Sequence, residues 1–197
     1  MDTKANPICS TAECTAEAQF LLYTMGDARI AEERWLCKSH GEEALSLYES
    51  GLPSNSVAEL EAGEWVHMEV DMVVVHPEQC LLYLRSPKAV AWLGITVGYF
   101  EAVALGRRLA NTPFVRPLTF RAFADTIRAL GARLQDVLVD HFDPSIWAFH
   151  AKLRLQQQSR QVIVDVRPSD AFHLAVEFAA PIFVAAHLLR KPLGEEQ

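Results

Sequence analysis

The pattern of hydrophobic and polar residues changes near residue 66 of this 197-residue chain. Before that point, β-type runs at 18–23 and 30–36 flank a Gly-Asp turn, and a helical segment follows at 42–48. After it, short apolar runs alternate with Pro-containing turns, which is typical of strands. The pattern predicts a small module at 1–52, a linker at 53–65 and a strand-rich main domain at 66–197.

The predicted elements of the main domain form a repeat. The strands are predicted at 66–75, 80–85, 91–97, 134–139, 146–155, 161–166 and 181–184, and the helices at 99–110, 119–130 and 168–179. Residues 95–105 align with residues 164–174 at a constant offset, so that strand, turn and acidic residue coincide. We therefore predict an α+β fold in which duplicated β-β-β-α units form a large, mainly antiparallel sheet.

Three cysteines and one histidine in the first forty residues have the spacing of a metal site. Cys9 and Cys14 form a C-x4-C pair, and Cys37 and His40 form a C-x2-H pair after the predicted hairpin. Knuckle, hairpin, knuckle and helix is the order found in zinc ribbons and treble-clef fingers, and thiolates with a neutral imidazole suit Zn²⁺. We predict a structural zinc held by these four side chains, which would stabilise a module too small to fold alone.

Two other interpretations of these cysteines remain open. They could form a disulfide or be isolated buried thiols, although neither interpretation explains His40 and a reducing compartment disfavours the disulfide. Cys80 lies inside the apolar run 80–84 and is predicted to be a core thiol.

The charge distribution is uneven. Residues 1–78 contain four basic and fifteen acidic residues, whereas residues 106–160 contain nine basic and four acidic ones. This asymmetry indicates either two surfaces with different partners or simply solvated helix faces. The net charge of −7 argues against a nucleic-acid partner.

The chain has neither an apolar run of the roughly 18 to 20 residues that span a membrane nor a recognisable leader, so we expect a cytoplasmic protein without membrane contact.

Segments of the main domain resemble, in order and spacing, the bifunctional nuclease family. They are Gly-Tyr-Phe-Glu-Ala at 98–102, Val-Arg-Pro-Leu-Thr at 115–119, Val-Asp-Val-Arg-Pro-Ser-Asp-Ala at 164–171 and Ala-Pro-Ile-Phe-Val at 180–184. The resemblance covers roughly residues 66–189. It implies an α+β fold, self-association, and cleavage of both DNA and RNA. We expect an apolar strand such as 80–84 to leave a sheet edge for that self-association.

Two adjacent positions depart from the family pattern. The family usually has Thr-His-Asp at the start of the middle helix, where this chain has Thr119, Phe120 and Arg121. A His-Asp pair could supply a general base or a metal ligand, but phenylalanine and arginine supply neither. The departure favours a second hypothesis, a non-catalytic module that binds protein or nucleic acid and carries a zinc finger.

Carboxylates near the repeated turns are the candidate catalytic residues. Phosphodiester hydrolysis commonly uses acids that hold Mg²⁺ or Mn²⁺, with arginines on the phosphate oxygens. The candidate acids are Glu101, Asp165 and Asp170, and the candidate substrate-binding arginines are Arg116, Arg121 and Arg167. The competing interpretation is structural, because first-turn acids stabilise helix starts and Arg167 can pair with Asp170.

A weaker candidate lies in the second half of the main domain. His141 and Asp143 follow Asp140 at a predicted hairpin turn and offer metal ligands close in sequence. The sequence does not give the directions of their side chains.

Overall fold

A computed structural model describes residues 7–26, 29–52, 64–112 and 114–189. Residues 53–63 of the predicted linker and Asp27 of the predicted turn lie outside the described residues. The strands are β1 (Phe20–Met25), β2 (Ala31–Leu36), β3 (Trp65–Val75), β4 (Cys80–Arg85), β5 (Trp92–Val97), β6 (Ala132–Asp143), β7 (Ala148–Gln157), β8 (Arg160–Val166) and β9 (Ile182–Ala185). The helices are α1 (Lys38–Gly51), α2 (Tyr99–Leu109), α3 (Thr119–Ala129) and α4 (Pro168–Phe178), followed by a 3-10 turn at Ala186–Leu189.

The predicted elements are confirmed in type and order, and most of their boundaries shift by one or a few residues. Helix α1 begins at Lys38, earlier than its apolar pattern indicated, with Cys37 at the N-cap position. Strand β6 continues through His141 to Asp143, where a turn was predicted. The antiparallel register with β7 extends to the Asp143–Ala148 pair. Register shifts after Leu134 and after Val139 mark β-bulges in this strand.

The α+β fold with a large, mainly antiparallel sheet is confirmed. Hydrogen bonds connect the described strands in the order β2-β1-β3-β9-β6-β7-β8, and β4 pairs with β3 and β5. The β6–β9 pairing is parallel. Because β4 has a neighbour on each side, the expectation that residues 80–84 leave a free sheet edge is wrong.

The order β-β-β-α occurs twice, as β3-β4-β5-α2 and as β6-β7-β8-α4. Helices α2 and α4 each have 11 residues. Each begins two residues after its preceding strand ends, so the alignment seen in the sequence matches the boundaries of real elements.

The chain divides into two compact units. The first comprises Met1–Pro53, Val70–Tyr83 and Thr96–Pro113. In it, β1 pairs with β2 and with the second half of β3, and α1 and α2 pack on β1. Tyr23 is fully buried, and its ring fills the space beside Gly106 of α2. The amino-terminal hairpin therefore shares its core with residues from the predicted main domain.

The second unit comprises Ser54–Glu69, Leu84–Ile95 and Phe114–Gln197. The first half of β3 pairs with β9, which leads through β6 and β7 to β8. Helix α4 packs on β6 and β7, and α3 packs on α4 and β6. The core of this unit includes Phe172, Leu174, Leu153 and Val137, all fully buried.

No helix among the described residues combines the length and apolar character needed to cross a membrane.

Candidate functional site

The amino-terminal ligands come from two local structures that face each other. Cys9 and Cys14 lie on a knuckle that an isolated bridge between Ile8 and Glu17 closes. Cys37 caps α1, and His40 follows in the first turn of that helix. Hairpin β1–β2 lies between the two pairs in sequence and holds them together.

Backbone hydrogen bonds attach the first knuckle to the hairpin. The Ser10 amide donates to the carbonyl of Trp35 at 2.6 Å, and the Trp35 amide donates to Ser10 Oγ at 3.1 Å. Within the knuckle, the Cys14 amide donates to the carbonyl of Thr11. The knuckle is thereby fixed beside Leu36, where the second ligand pair begins.

The four ligand atoms lie within 4.8 Å of one another. His40 Nδ1 is 3.3 Å from the Sγ atoms of both Cys9 and Cys37, and the Sγ atoms of Cys14 and Cys37 are 4.0 Å apart. A tetrahedral zinc with ordinary bond lengths places two sulfurs about 3.8 Å apart and a sulfur about 3.6 Å from a nitrogen. In the part of the chain that the structure describes, no other group of three or more ligating side chains is assembled this closely.

The cysteines are thiols or thiolates rather than a disulfide, since all four cysteines of the chain are free. Burial opposes ionisation of Cys9, but hydrogen bonds from Thr11, the Cys37 backbone and His40 outweigh it and lower the pKa of Cys9 to about 5. Cys80 is buried in β4, and its thiol donates to the carbonyl of His76. The prediction of a core thiol there is confirmed, and burial raises the pKa of that thiol.

The helix that carries His40 packs closely on the hairpin. Gly41 is buried, and a Cβ atom there would overlap the ring of Phe20. That ring stacks on His76 with 4.3 Å between centroids. The next residue after the ligand His40 must therefore be glycine, because any side chain would push α1 away from the hairpin.

The carboxyl-terminal half of α1 is attached by two tyrosines. Tyr48 donates its hydroxyl to Asp71 of β3 at 2.5 Å, and Tyr83 of β4 donates to Glu49. The two rings meet edge to face, with centroids 5.1 Å apart. Burial and then the neighbouring Glu49 raise the pKa of Tyr83, so it remains a donor at neutral pH.

Glu101 lies in the first turn of α2, in the first unit, and is half-buried. Its carboxylate folds back over the helix start, and one of its oxygens lies where it would meet a Cβ atom at position 98. This is the arrangement in which an acid near the helix start offsets the free backbone N–H groups. The contact supports the structural interpretation of Glu101.

Asp165 and Asp170 lie in the second unit, on either side of the β8–α4 turn. Asp165 is exposed on β8, in register with Lys152 of β7. Asp170, in the first turn of α4, accepts two hydrogen bonds from the Arg167 guanidinium, both at 2.9 Å. The Arg167 side chain is 66% exposed and the Asp170 side chain 23% exposed, so a phosphate could still reach this pair.

The candidate arginines differ in their surroundings. Arg116 is exposed just before α3, and no ion pair to it occurs within the described residues. Arg121 forms ion pairs with Asp125 on its own helix and with Glu177 of α4, each at 3.2 Å. Its pKa is raised, first by the bond to Asp125. Arg121 therefore joins two helices, whereas Arg116 is available to a ligand.

Phe120, at the other position that departs from the family pattern, has a packing role. Its ring stacks on His173 of α4 with 3.6 Å between centroids and an interplanar angle of 2°. His173 is buried, with 3% of its surface exposed. Phe120 and Arg121 therefore attach α3 to α4 through a stack and an ion pair.

Several of the basic residues in the middle of the chain are paired with acids. Arg154 forms a two-point bond with buried Asp136, and Lys152 bonds Asp140. Arg128 pairs with Asp125 and also lies 4.4 Å over the Phe178 ring. These contacts favour the view that many of the arginines belong to ordinary solvated faces.

Sequence reasoning missed a pair of histidines. His141 and His150 lie directly opposite each other on β6 and β7, with ring centroids 5.3 Å apart. The signal was present as His-Phe at 141–142 and Phe-His at 149–150, which are symmetric about the hairpin turn. Symmetry of this kind brings equivalent residues face to face once two strands pair.

Comparisons with known proteins identify a family and two relatives. Residues 82–195 match the model of the bifunctional nuclease domain. Uncharacterized protein MT1877 of Mycobacterium tuberculosis (strain CDC 1551) and uncharacterized protein Rv1829 of Mycobacterium tuberculosis (strain H37Rv) are both 32% identical over 125 residues. The similarity covers 61% of this chain and 73% of each relative.

Proposed function

The chain belongs to the bifunctional nuclease domain family, and we propose that its α+β part hydrolyses phosphodiester bonds of both DNA and RNA with the help of a divalent metal ion. Family membership supports a nuclease-like function and nucleic-acid binding in general. The match over residues 82–195 is the observation that carries the proposal. It includes the Asp-Val-Arg-Pro-Ser-Asp-Ala string at 165–171, in which Asp165 is exposed on β8 and Asp170 is partly exposed in the first turn of α4.

In this proposal, Glu101, Asp165 and Asp170 are the acids that hold Mg²⁺ or Mn²⁺. The metal would polarise the scissile phosphate and lower the pKa of an attacking water. Carboxylate oxygens are the ligands these ions prefer. The exposed position of Asp165 and the partial exposure of Asp170 support the assignment, and the inclusion of Glu101 rests on its equivalent place in the first repeat.

Arg116, Arg121 and Arg167 are the proposed contacts to the phosphate oxygens. Arg116 and Arg167 are exposed side chains near the starts of α3 and α4, as phosphate binding requires. Arg121 would have to leave Glu177 and Asp125 to take part, so we expect it to contribute least.

A second candidate function is a non-catalytic module that binds protein or nucleic acid. The observation that favours it is the packing of Phe120 on His173 and of Arg121 on Glu177. Those contacts fill the positions where the family usually carries a His-Asp pair.

Cleavage assays separate the two candidates. Purified protein is incubated with single-stranded and duplex DNA and RNA, with Mg²⁺, with Mn²⁺ and with EDTA. The nuclease proposal expects metal-dependent cleavage of both DNA and RNA that is lost in Asp170→Asn. Binding without cleavage under every condition would favour the second candidate and overturn the first.

For the amino-terminal cluster we propose structural zinc, held by Cys9, Cys14, Cys37 and His40. Sulfur and imidazole ligands at these separations fit the tetrahedral preference of zinc. Elemental analysis of protein purified without chelator should give one zinc from this cluster, retained in Cys80→Ser and lost in Cys37→Ser. Equal zinc content in the two variants would contradict the assignment.

We also propose that the protein is cytoplasmic and self-associates through the main domain predicted at 66–197. Strand β8 ends the strand order of the described residues, and its Ile163 is 58% exposed. An exposed apolar edge strand favours pairing with a second copy. Sedimentation should show a species larger than 22.0 kDa, which Ile163→Lys reduces to the monomer. A monomeric wild type at micromolar concentration would refute self-association.

A further inference from the structure

We propose that the tip of the β6–β7 hairpin is a stacking platform for an unpaired base, with the exposed indole of Trp147 as its surface. The ligand is a single-stranded stretch of DNA or RNA that passes the nuclease residues proposed for the second unit. This inference rests on the proposed function, because it names the form of nucleic acid that the same site takes. Its test measures binding and does not require cleavage.

The hairpin extends beyond the strands on both of its sides. Strand β8 pairs with residues 151–157 of β7, and β9 pairs with residues 137–139 of β6. In the described part of the chain, no strand outside the hairpin pairs with residues 140–150. These eleven or so residues therefore form a two-stranded arm that passes the ends of its neighbours.

The arm ends in an aromatic cluster. The ring centroid of Phe142 lies 4.8 Å from that of Phe149 and 5.2 Å from that of Trp147, whose ring it meets at 80°. Trp147 is nevertheless 63% exposed, and the neighbouring Ile146 is 65% exposed. Phe142 therefore fixes the indole from one side while most of the indole surface faces solvent.

The backbone of Trp147 is in the left-handed region, with a φ of 53°. Glycine, asparagine and aspartate are the residues that usually adopt this conformation, because a bulky side chain is strained there. Strained residues of this kind cluster at active sites and ligand clamps. A tryptophan that is both strained and exposed favours a role in binding over a role in folding.

Hydrogen bonds hold the turn that carries the indole. Asp143 Oδ1 accepts them from the Ser145 hydroxyl at 2.6 Å and from the Ser145 amide at 2.8 Å. These bonds lower the pKa of Asp143, so its carboxylate remains an acceptor at neutral pH. Asp143 thus belongs to the turn, and the cysteine–histidine cluster is the group of three or more metal ligands that the described residues assemble. A platform held in place beforehand loses little conformational entropy on binding.

The arm leaves the sheet beside the proposed nuclease residues. Val166, the last residue of β8, is the register partner of Ala151, and Arg167 follows it at the start of α4. Trp147 lies four residues beyond Ala151, which is about 13 Å at the rise of a strand. Stacked nucleotides about 3.4 Å apart cover that distance in about four steps. A strand whose phosphate contacts Arg167 can therefore place a base on Trp147.

The aromatic cluster and α4 lie on the same face of the sheet. Helix α4 packs on β7, whose buried residues include Ala151 and Leu153. Phe149 is two residues from Ala151 and therefore points to that same face. Because α4 begins level with Ala151, the cluster lies beyond the helix start, where the Arg167 side chain is 66% exposed. Arginine and aromatic rings side by side suit a single strand, whose phosphates and bases they contact separately.

The size of the tip favours a base over a second protein chain. Ile146 and Trp147 together offer on the order of 300 Å², whereas a stable protein interface buries about 800 Å² on each partner. One indole matches one base, and such a stack strengthens binding about 5- to 150-fold. Bases in a duplex already stack on each other, so the platform selects unpaired bases.

Binding of labelled oligothymidylate and oligouridylate, measured by fluorescence anisotropy without Mg²⁺ or Mn²⁺, tests the proposal. We expect Trp147→Ala to weaken binding of both about 5- to 150-fold and Trp147→Phe to restore most of the affinity. Affinity for a DNA duplex should stay the same in Trp147→Ala. Trp65→Ala, at another exposed tryptophan of the second unit, is the matched control and should bind as the wild type does.

Tryptophan emission and salt dependence identify the contact as a stack. Oligothymidylate should quench the emission of the wild type but not that of Trp147→Phe. Trp147→Ala should leave the slope of affinity against salt unchanged, because no phosphate contact is lost, whereas Arg167→Ala flattens it. Trp147→Asn should bind as weakly as Trp147→Ala and unfold in urea no earlier, because asparagine tolerates the left-handed backbone.

Three results would overturn the proposal: unchanged affinity of Trp147→Ala for both oligonucleotides, an equal loss of affinity for the duplex, or a wild type that binds no single strand. An oligomer that Trp147→Ala converts to a monomer would make the tip an interface between copies and would also overturn it. A protein that binds through Trp147 without cleaving refutes the proposed hydrolysis alone. A protein that cleaves while Trp147→Ala binds normally refutes the platform alone.

Discussion

The amino-terminal cluster and the acidic helix starts differ in how completely the fold has assembled them. In the cluster, four ligand atoms lie within 4.8 Å of one another and only a metal is needed to satisfy them. At the helix starts, each acid already has a neighbour, since Glu101 folds over Gly98 and Asp170 bonds Arg167. The metal assignment of the amino-terminal cluster therefore rests on the proximity of its ligands. The nuclease assignment of the helix-start acids rests on family membership.

This difference shows what each kind of residue does without its ligand. Unpaired thiolates and an imidazole crowded together are unfavourable until a cation neutralises them. A helix-start carboxylate is favourable on its own, because it complements the helix dipole. For the acids, the informative experiment measures folding stability and nuclease activity in the same variant. For the cysteine cluster, folding stability alone is the informative measurement.

Removal of a cluster ligand should have the largest effect on stability. Cys37→Ser should lose the metal and with it a large share of the about 10 to 16 kcal/mol that structural zinc contributes to small domains. Zinc content and thermal unfolding at fixed metal concentration measure the effect. Cys80→Ser, a buried cysteine of the same unit, should keep the metal. An unchanged melting temperature in Cys37→Ser would remove the cluster from the folding of the first unit.

A partly buried ion pair of the second unit comes next. Asp136→Asn should destabilise the protein by about 2 to 3 kcal/mol, because Arg154, whose side chain is 37% exposed, loses a two-point partner whose side chain is 10% exposed. Urea unfolding monitored by the fluorescence of the tryptophans measures the change. A loss below about 1 kcal/mol would indicate that the pair behaves like a surface salt bridge.

Overpacking beside the cluster should have a smaller effect. Gly41→Ala places a methyl group against Phe20, and overpacking of this kind costs about 1 to 3 kcal/mol. Gly51→Ala is the matched control at the other end of α1, where an added Cβ meets nothing within 4 Å. We expect denaturant unfolding and zinc retention to change in the first variant only. Similar behaviour of the two variants would contradict the close packing of α1 on the hairpin.

The smallest stability effect is expected for Asp170→Asn. The pair with Arg167 is largely exposed, so its loss should cost under about 1 kcal/mol. Metal-dependent cleavage, in contrast, should fall to the level measured with EDTA. Arg167→Ala should weaken nucleic-acid binding and flatten its dependence on salt, because one phosphate contact is lost. A stability loss equal to that of Asp136→Asn, with cleavage unchanged, would make Asp170 a structural residue.

Local patterns in the sequence determined the elements and one of the candidate sites. Apolar periodicity and the Pro-containing turns predicted the strands and helices. The reason is that the apolar residues of a buried face recur with the period of the helix or strand that carries them. The C-x4-C and C-x2-H spacing predicted the convergence of Cys9, Cys14, Cys37 and His40 for a similar reason. All four lie on the two segments that flank one hairpin, a knuckle before it and the start of α1 after it, so short-range geometry is enough to bring them together.

Tertiary structure alone decided the contacts between distant segments. The pairing of β1 with β3 joins residues 21–24 to residues 72–75. The sequence of neither strand specifies which other strand it pairs with. The stacking of Phe120 on His173 and the facing rings of His141 and His150 likewise depend on which elements pack and in which register. A hydrophobic face specifies that it must be covered but not by which segment, and for that reason these contacts required the folded chain.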